Sequence, residues 1–150
     1  MPRGAGDQSS HSTILHGSCV SLSGQGVLIK GSSGSGKSAL ALQMLAYGCD
    51  LVADDRVVVT ADGRQLMADA PTALPHLIEA RGLGLLPVVL RGPANLIAVV
   101  DMDILTTDRL PKKHDFSLFG LTLPLFHRVD GPHFAAALVQ MLKRGWHDPE

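Results

Sequence analysis

A mixed α/β domain, rich in strands and carrying a single phosphate-binding helix, is the fold class that this 150-residue chain predicts. Three observations predict it. The run Gly31-Ser32-Ser33-Gly34-Ser35-Gly36-Lys37-Ser38 fits the phosphate-loop pattern GxxxxGK[ST] without a mismatch. A strand-like run, Gly26–Lys30, leads into that loop, and an apolar helical run, Ser38–Ala46, leads out of it. Strand patterns then recur with few helices between them, which does not match a doubly wound sheet of alternating strand and helix.

The loop is a nucleotide site by its chemistry. Glycines let the backbone curl so that successive N–H groups point at phosphate oxygens. Lys37 adds a point charge near the β- and γ-phosphates, and the Ser38 hydroxyl is placed to ligate Mg²⁺. The helix that follows turns its positive end toward the anion.

The other elements follow in order. Ile14–Leu22 reads as a first strand, turning at Ser23-Gly-Gln-Gly26 into the second. The helix over 37–47 stops at Gly48, a natural residue just past a helix end. Asp50–Ala53 is a short strand ending on Asp54-Asp55. Arg56–Thr60 and Gln65–Ala68 form a hairpin with Asp62-Gly63 at its turn. Leu77–Arg81 is a further strand broken by Gly82-Leu-Gly84, and Asn95–Asp101 is the strongest buried-strand pattern in the chain. Leu121–Phe126 completes the strands, and His133–Arg144 is a closing amphipathic helix before Gly145. The expected organisation is a disordered tail over 1–12, one domain over 13–145 and a short polar tail over 146–150.

Composition narrows the function classes. Hydrophobic residues make up 45% of the chain, yet no apolar run approaches the ~18 residues of a membrane helix. Buried strands or oligomer contacts explain the richness. Thirteen Lys and Arg against fourteen Asp and Glu leave a net charge of -1, with no basic stripe, so nucleic acid is not an expected partner. Cys19 and Cys49 sit in apolar patterns, so buried free thiols and a reducing cytoplasm are expected.

Phosphoryl transfer also needs a metal ligand, a proton acceptor and a cation for the spreading charge. Asp54-Asp55 closes the strand after the loop's own helix, on the edge of the sheet where the phosphates would lie. Neighbours on an extended chain face opposite sides, so only one of the two would face the reacting atoms directly. The pair is equally readable as a turn with surface ion pairing to Arg56. Asp101 competes, because Leu96–Asp101 looks more like an ordinary Walker B strand. Glu79 and Arg81 share one strand face, fit for metal binding and charge stabilisation or for a plain salt bridge. His16 reads alone as a strand-end histidine, and Arg109 as a solvated loop residue.

Taken in order, these motifs resemble one family, the bacterial HPr kinase/phosphorylase, in its C-terminal catalytic domain. Leu15-His16-Gly17, the glycine-rich loop, Leu51-Val-Ala-Asp-Asp55, Ile78-Glu-Ala-Arg-Gly-Leu-Gly84 and Asp108-Arg-Leu110 carry the resemblance over roughly residues 14 to 110. It implies a nucleotide-binding fold related to that of phosphoenolpyruvate carboxykinase. It also implies an ATP- and Mg²⁺-dependent protein serine kinase acting on HPr, the carrier protein of the sugar phosphotransferase system, or on a nitrogen-branch relative. Many members also remove that phosphate with inorganic phosphate, and they assemble as hexamers.

By that resemblance, His16 matches the histidine near the transferred phosphate, Lys37 the phosphate-binding lysine, and Asp55 the acceptor of the serine proton. Ser38 and Glu79 match metal ligands, Asp54 supports metal or base, and Arg109 matches the arginine that stabilises charge. Asp101 then becomes a structural strand end. The chain departs from the pattern at Ala39, where the family usually has Glu, and at 123–130, where it has a basic glycine-containing loop. It also resembles short proteobacterial forms without the N-terminal domain and has a short C-terminal end. These departures favour kinase over phosphorylase chemistry. A nucleotide-binding regulatory module and an ordinary ATPase using Asp101 are the rival readings.

Overall fold

Residues 11–149 are described by the structure, a computed structural model. The first apolar run is β1 (Ser12–Leu22), which begins two residues before the expected start. Positions 1–10 of the expected tail lie outside the described residues. A turn through Ser23 and Gly24, both at positive φ, returns the chain as β2 (Gln25–Lys30). The glycine-rich loop follows, then α1 (Lys37–Ala46). Gly48, at φ 100°, ends the helix, with the Cys49 amide donating back to the Met44 carbonyl.

β3 (Asp50–Ala53), β4 (Arg56–Asp62) and β5 (Gln65–Asp69) come next, the last two joined at Gly63 as the Asp-Gly turn predicts. β6 (Leu77–Ala80) and β7 (Gly84–Pro87) form a separate two-stranded ribbon. β8 (Ala94–Leu105), β9 (His114–Leu118), β10 (Leu121–Arg128) and α2 (His133–Arg144) complete the described chain. The mixed strand-rich architecture is the expected one.

Three strands differ from expectation for physical reasons. β8 runs past Asp101 to Leu105, because Asp101 and Met102 are buried inside it and β10 pairs in parallel alongside. Asp101 is therefore an interior strand residue rather than a strand end. β7 and β9 were not expected at all. Both are short and largely exposed, β7 being bounded by Gly84 and Pro87 and β9 carrying two apolar residues, Phe116 and Leu118. The stretch 123–130, where the family has a basic loop, lies mostly within β10.

β1 and β8 organise the large sheet by changing partners along their length. β1 pairs with β2 on one edge, and on the other with β4 over its first half and β3 over its second. β8 lies parallel to β2 on one edge, and on the other meets β5 early and β10 late. The pairings β2–β1–β4–β5–β8–β2 thus return on themselves. Leu28, Val57, Val59, Leu66 and Val99 fill the space this encloses. Val27, Ile29, Ala98 and Val100 face the other way, against Leu40 and Met44 of α1 and Leu138 and Leu142 of α2. Central strands buried on both faces account for the high apolar content.

Gly17 is the tightest point of this arrangement. A Cβ there would lie 2.5 Å from the Ile29 carbonyl oxygen, so β1 can press onto β2 only without a side chain. Gly17→Ala is expected to lower stability by about 1–3 kcal/mol through forced separation of the two strands. Urea denaturation of both proteins measures this directly.

Candidate active site

The loop between β2 and α1 opens onto a cavity of about 300 Å³, lined by Ser33 to Ala39, His16, Ser18, Asp55, Glu79 and Arg81. Four elements thus converge on the loop: the middle of β1, the β3–β4 junction, the β6 ribbon and the start of α1. Gly34 and Gly36 hold φ of 83° and 100°, values that an L side chain would strain. Gly31 has a second constraint, since a Cβ there would meet the Ser35 hydroxyl at 2.6 Å.

Lys37 is buried, and its ammonium donates to the carbonyl oxygens of Gly31 (2.8 Å) and Ser32 (2.9 Å). Ser38, one residue on, donates to both oxygens of Asp54, at 3.0 and 3.1 Å. Asp54 also accepts a 2.5 Å bond from Ser18, which is fully buried in β1. The Asp54 carboxylate is therefore tied to both the loop's helix and the central sheet. Its oxygens and the Ser38 hydroxyl form a hard-oxygen donor set suited to Mg²⁺, which takes one or two carboxylates and completes its shell with phosphate and water. Among the described residues no three histidine, cysteine or carboxylate side chains gather as a self-contained cage.

Asp55 turns the other way, as adjacent residues were expected to do. Its backbone sits at φ 74°, a left-handed conformation uncommon outside glycine and found at strained functional turns. The Gly17 amide donates to its carbonyl at 3.1 Å. Its carboxylate meets His16 Nε2 at 3.2 Å, with Arg56 at 3.8 Å on the other oxygen. Both Asp55 and His16 are more than half exposed and face the cavity. Such a carboxylate can accept a proton from an incoming hydroxyl.

Glu79 and Arg81 both line the cavity from the exposed ribbon. Arg109 does not. It lies in the exposed connection after β8, outside the residues lining the cavity, so the structure does not bring it to the site. The cation at the cavity wall is Arg81. Asp101 is also elsewhere: it is buried, bonded to Lys30 at 3.2 Å and to the Asp103 amide at 2.9 Å. It is not among the residues lining the cavity.

Two residues here escape a reading of the chain. Ser18 is one of four hydroxyl residues in β1, and nothing local marks it as the one bonded to Asp54. Asp103, two positions beyond Asp101, accepts the Ser32 amide with both oxygens at 2.9 Å and the Ser32 hydroxyl at 2.7 Å. The Ser32 backbone bond, then its hydroxyl bond, lower the Asp103 pKa below the ordinary carboxylate value. Asp103→Asn is expected to weaken nucleotide binding about tenfold by loosening the first turn of the loop, as read by titration with a fluorescent nucleotide. The depressed pKa sets the sign with pH. The clasp persists while ordinary carboxylates protonate and is lost only as pH falls through the lowered value. The Ser32 amide proton shift should therefore move at lower pH than those beside solvated aspartates.

The family model for the HPr serine kinase C-terminal domain matches residues 7–104. The HPr kinase/phosphorylase of Limosilactobacillus reuteri (strain DSM 20016) is 52% identical over 75 residues, 49% of this chain and 23% of that protein. That of Lactiplantibacillus plantarum is 43% identical over 93 residues, 61% of this chain and 30% of its own length. The matched region thus spans between about a quarter and a third of these relatives. The solved structure of the Hpr(Ser) kinase/phosphatase from Coxiella burnetii superposes with a TM-score of 0.70 at 21% identity, covering 88% of this chain and 94% of that one. That likeness establishes the shared fold, and the match over residues 7–104 places the chain in the HPr serine kinase C-terminal domain family.

Proposed function

We propose that this chain is an ATP- and Mg²⁺-dependent serine kinase whose acceptor is HPr or an HPr-like phosphocarrier protein. The observation that carries the reading is the division of labour between Asp54 and Asp55. Asp54 is bound to Ser38 at the base of the phosphate loop, while Asp55 faces the same cavity with His16 beside it. One carboxylate is thus available for the metal and the other for a proton.

In the proposed step the acceptor serine Oγ attacks the γ-phosphorus and its proton passes to the Asp55 carboxylate. The new O–P bond forms as the bond to the β,γ-bridging oxygen breaks, releasing ADP. His16 orients Asp55. The amides of Gly36, Lys37 and Ser38 and the Lys37 ammonium hold the phosphate oxygens, the lysine exchanging its two carbonyl partners for them. Ser38 and Asp54 would hold Mg²⁺, with Glu79 as a second metal position. The metal, when bound, neutralises charge across the β- and γ-oxygens. Arg81 takes the part of the charge-stabilising cation that the resemblance gives to Arg109.

Ala39 lines the cavity with a methyl group where the family usually has a carboxylate, so the phosphorylase direction has one polar group fewer to use. Among the described residues no helix is long and apolar enough to cross a membrane, and both cysteines are buried thiols. A cytoplasmic homo-oligomer, hexameric as in the family resemblance, is the consistent setting. Asp55→Asn should cut phosphate transfer from labelled ATP to purified HPr by at least ~10²-fold while leaving nucleotide binding intact. Undiminished transfer would remove Asp55 as the base. Arg81→Ala should lower kcat by a comparable factor and Arg109→Ala should not, and the opposite ranking would return the role to Arg109.

A further inference from the structure

A second cavity, of about 360 Å³, lies between β10, α2 and the segments 106–114 and 146–149. It shares no lining residue with the phosphate-loop cavity. Its volume falls within the range of small-molecule sites. Phe126, Phe134, Leu138, Met141 and Trp146 wall it, with the Trp146 ring set edge-on to Phe126 at 4.9 Å. Two aromatic rings from distant parts of the chain therefore meet in an open concavity rather than in the packed core.

The polar side chains around this apolar space are lysines, imidazoles and a threonine. Lys112, His114, His127 and His133 line it, and none of the described lining residues is acidic. The adjoining cleft, which shares Thr106, Pro111, Lys112, His114 and His127, adds Leu105, Thr107 and a single carboxylate, Asp108. Lys113 is engaged with Asp148 at 2.7 Å, whereas Lys112 makes no ion pair among the described residues. The His114 and His127 rings lie 4.4 Å apart, tilted by 33°. An apolar interior with Lys112 and hydrogen-bonding imidazoles at its rim complements a molecule with an apolar body and an anionic head.

We propose that this cavity binds a small amphipathic organic anion, its apolar body against Phe126, Phe134 and Trp146 and its head beside Lys112 and the paired histidines. Binding there has a route to the phosphate loop. Phe126 and His127 pair in register with Val100 and Asp101 of β8, the strand whose Asp101 and Asp103 hold Lys30 and Ser32.

Calorimetric titration of the full chain with decanoate, below its micelle concentration, tests the proposal against neutral 1-decanol. One decanoate should bind per chain, at least about tenfold more tightly than decanol. Ala137→Trp, which fills the cavity from the exposed face of α2, should abolish binding without changing nucleotide affinity. Lys112→Glu, a surface change, should weaken decanoate about tenfold and leave decanol unaffected. Equal binding of decanol, or unchanged decanoate binding in both variants, would overturn the proposal. So would an absence of decanoate binding at millimolar concentration. Sedimentation showing self-association that Ala137→Trp disrupts and decanoate does not would assign the face to a second copy instead.

Discussion

The close seating of β1 on β2 at Gly17 is the constraint on which the candidate site depends. No side chain separates the two strands at that point, and the Gly17 amide reaches across to the Asp55 carbonyl. The residues on either side, His16 and Ser18, are thereby delivered to Asp55 and Asp54 respectively. One glycine thus couples the strand that ends in the phosphate loop to the junction that supplies both carboxylates. Any outward movement of β1 would carry a histidine and a serine away from their aspartates together.

Asp55, where the proton transfer is proposed, is one of three non-glycine residues at positive φ among the described residues. Asp55 keeps a left-handed backbone without being glycine, and its carboxylate is largely exposed. Asp54, its neighbour, is satisfied by two hydroxyls. The contrast follows from the sharp change of direction between β3 and β4, which sends consecutive side chains to different surroundings. A regular strand continuing through both residues would have placed one of them behind the sheet.

What the chain reveals about itself divides along physical lines. The phosphate loop is legible because its function resides in eight contiguous residues whose backbone shape is local. The Asp54-Asp55 pair is legible as a candidate because it directly follows a short apolar strand, but its choice over Asp101 came from the family resemblance. In the structure Asp101 is bonded to Lys30 and the Asp103 amide and is not among the residues lining the phosphate-loop cavity. Ser18 and Asp103 were missed because their partners lie 36 and 71 positions away, brought near by strand register that no local pattern encodes. Arg81 was legible as a candidate beside Glu79 on one strand face, while its place on the cavity wall depends on how the small ribbon packs. β7 and β9 were missed because they are four and five residues long, one bounded by Gly84 and Pro87 and the other carrying two apolar residues.

The position of the Lys37 ammonium has a consequence for selectivity. Between ligands it is not a bare buried charge, since two main-chain oxygens of its own loop solvate it. Entry of any guest is therefore a swap of acceptors, and a neutral guest offers nothing better than what it displaces. Only a polyanion repays the exchange, so the resting loop acts as a filter that rejects uncharged competitors while keeping its shape.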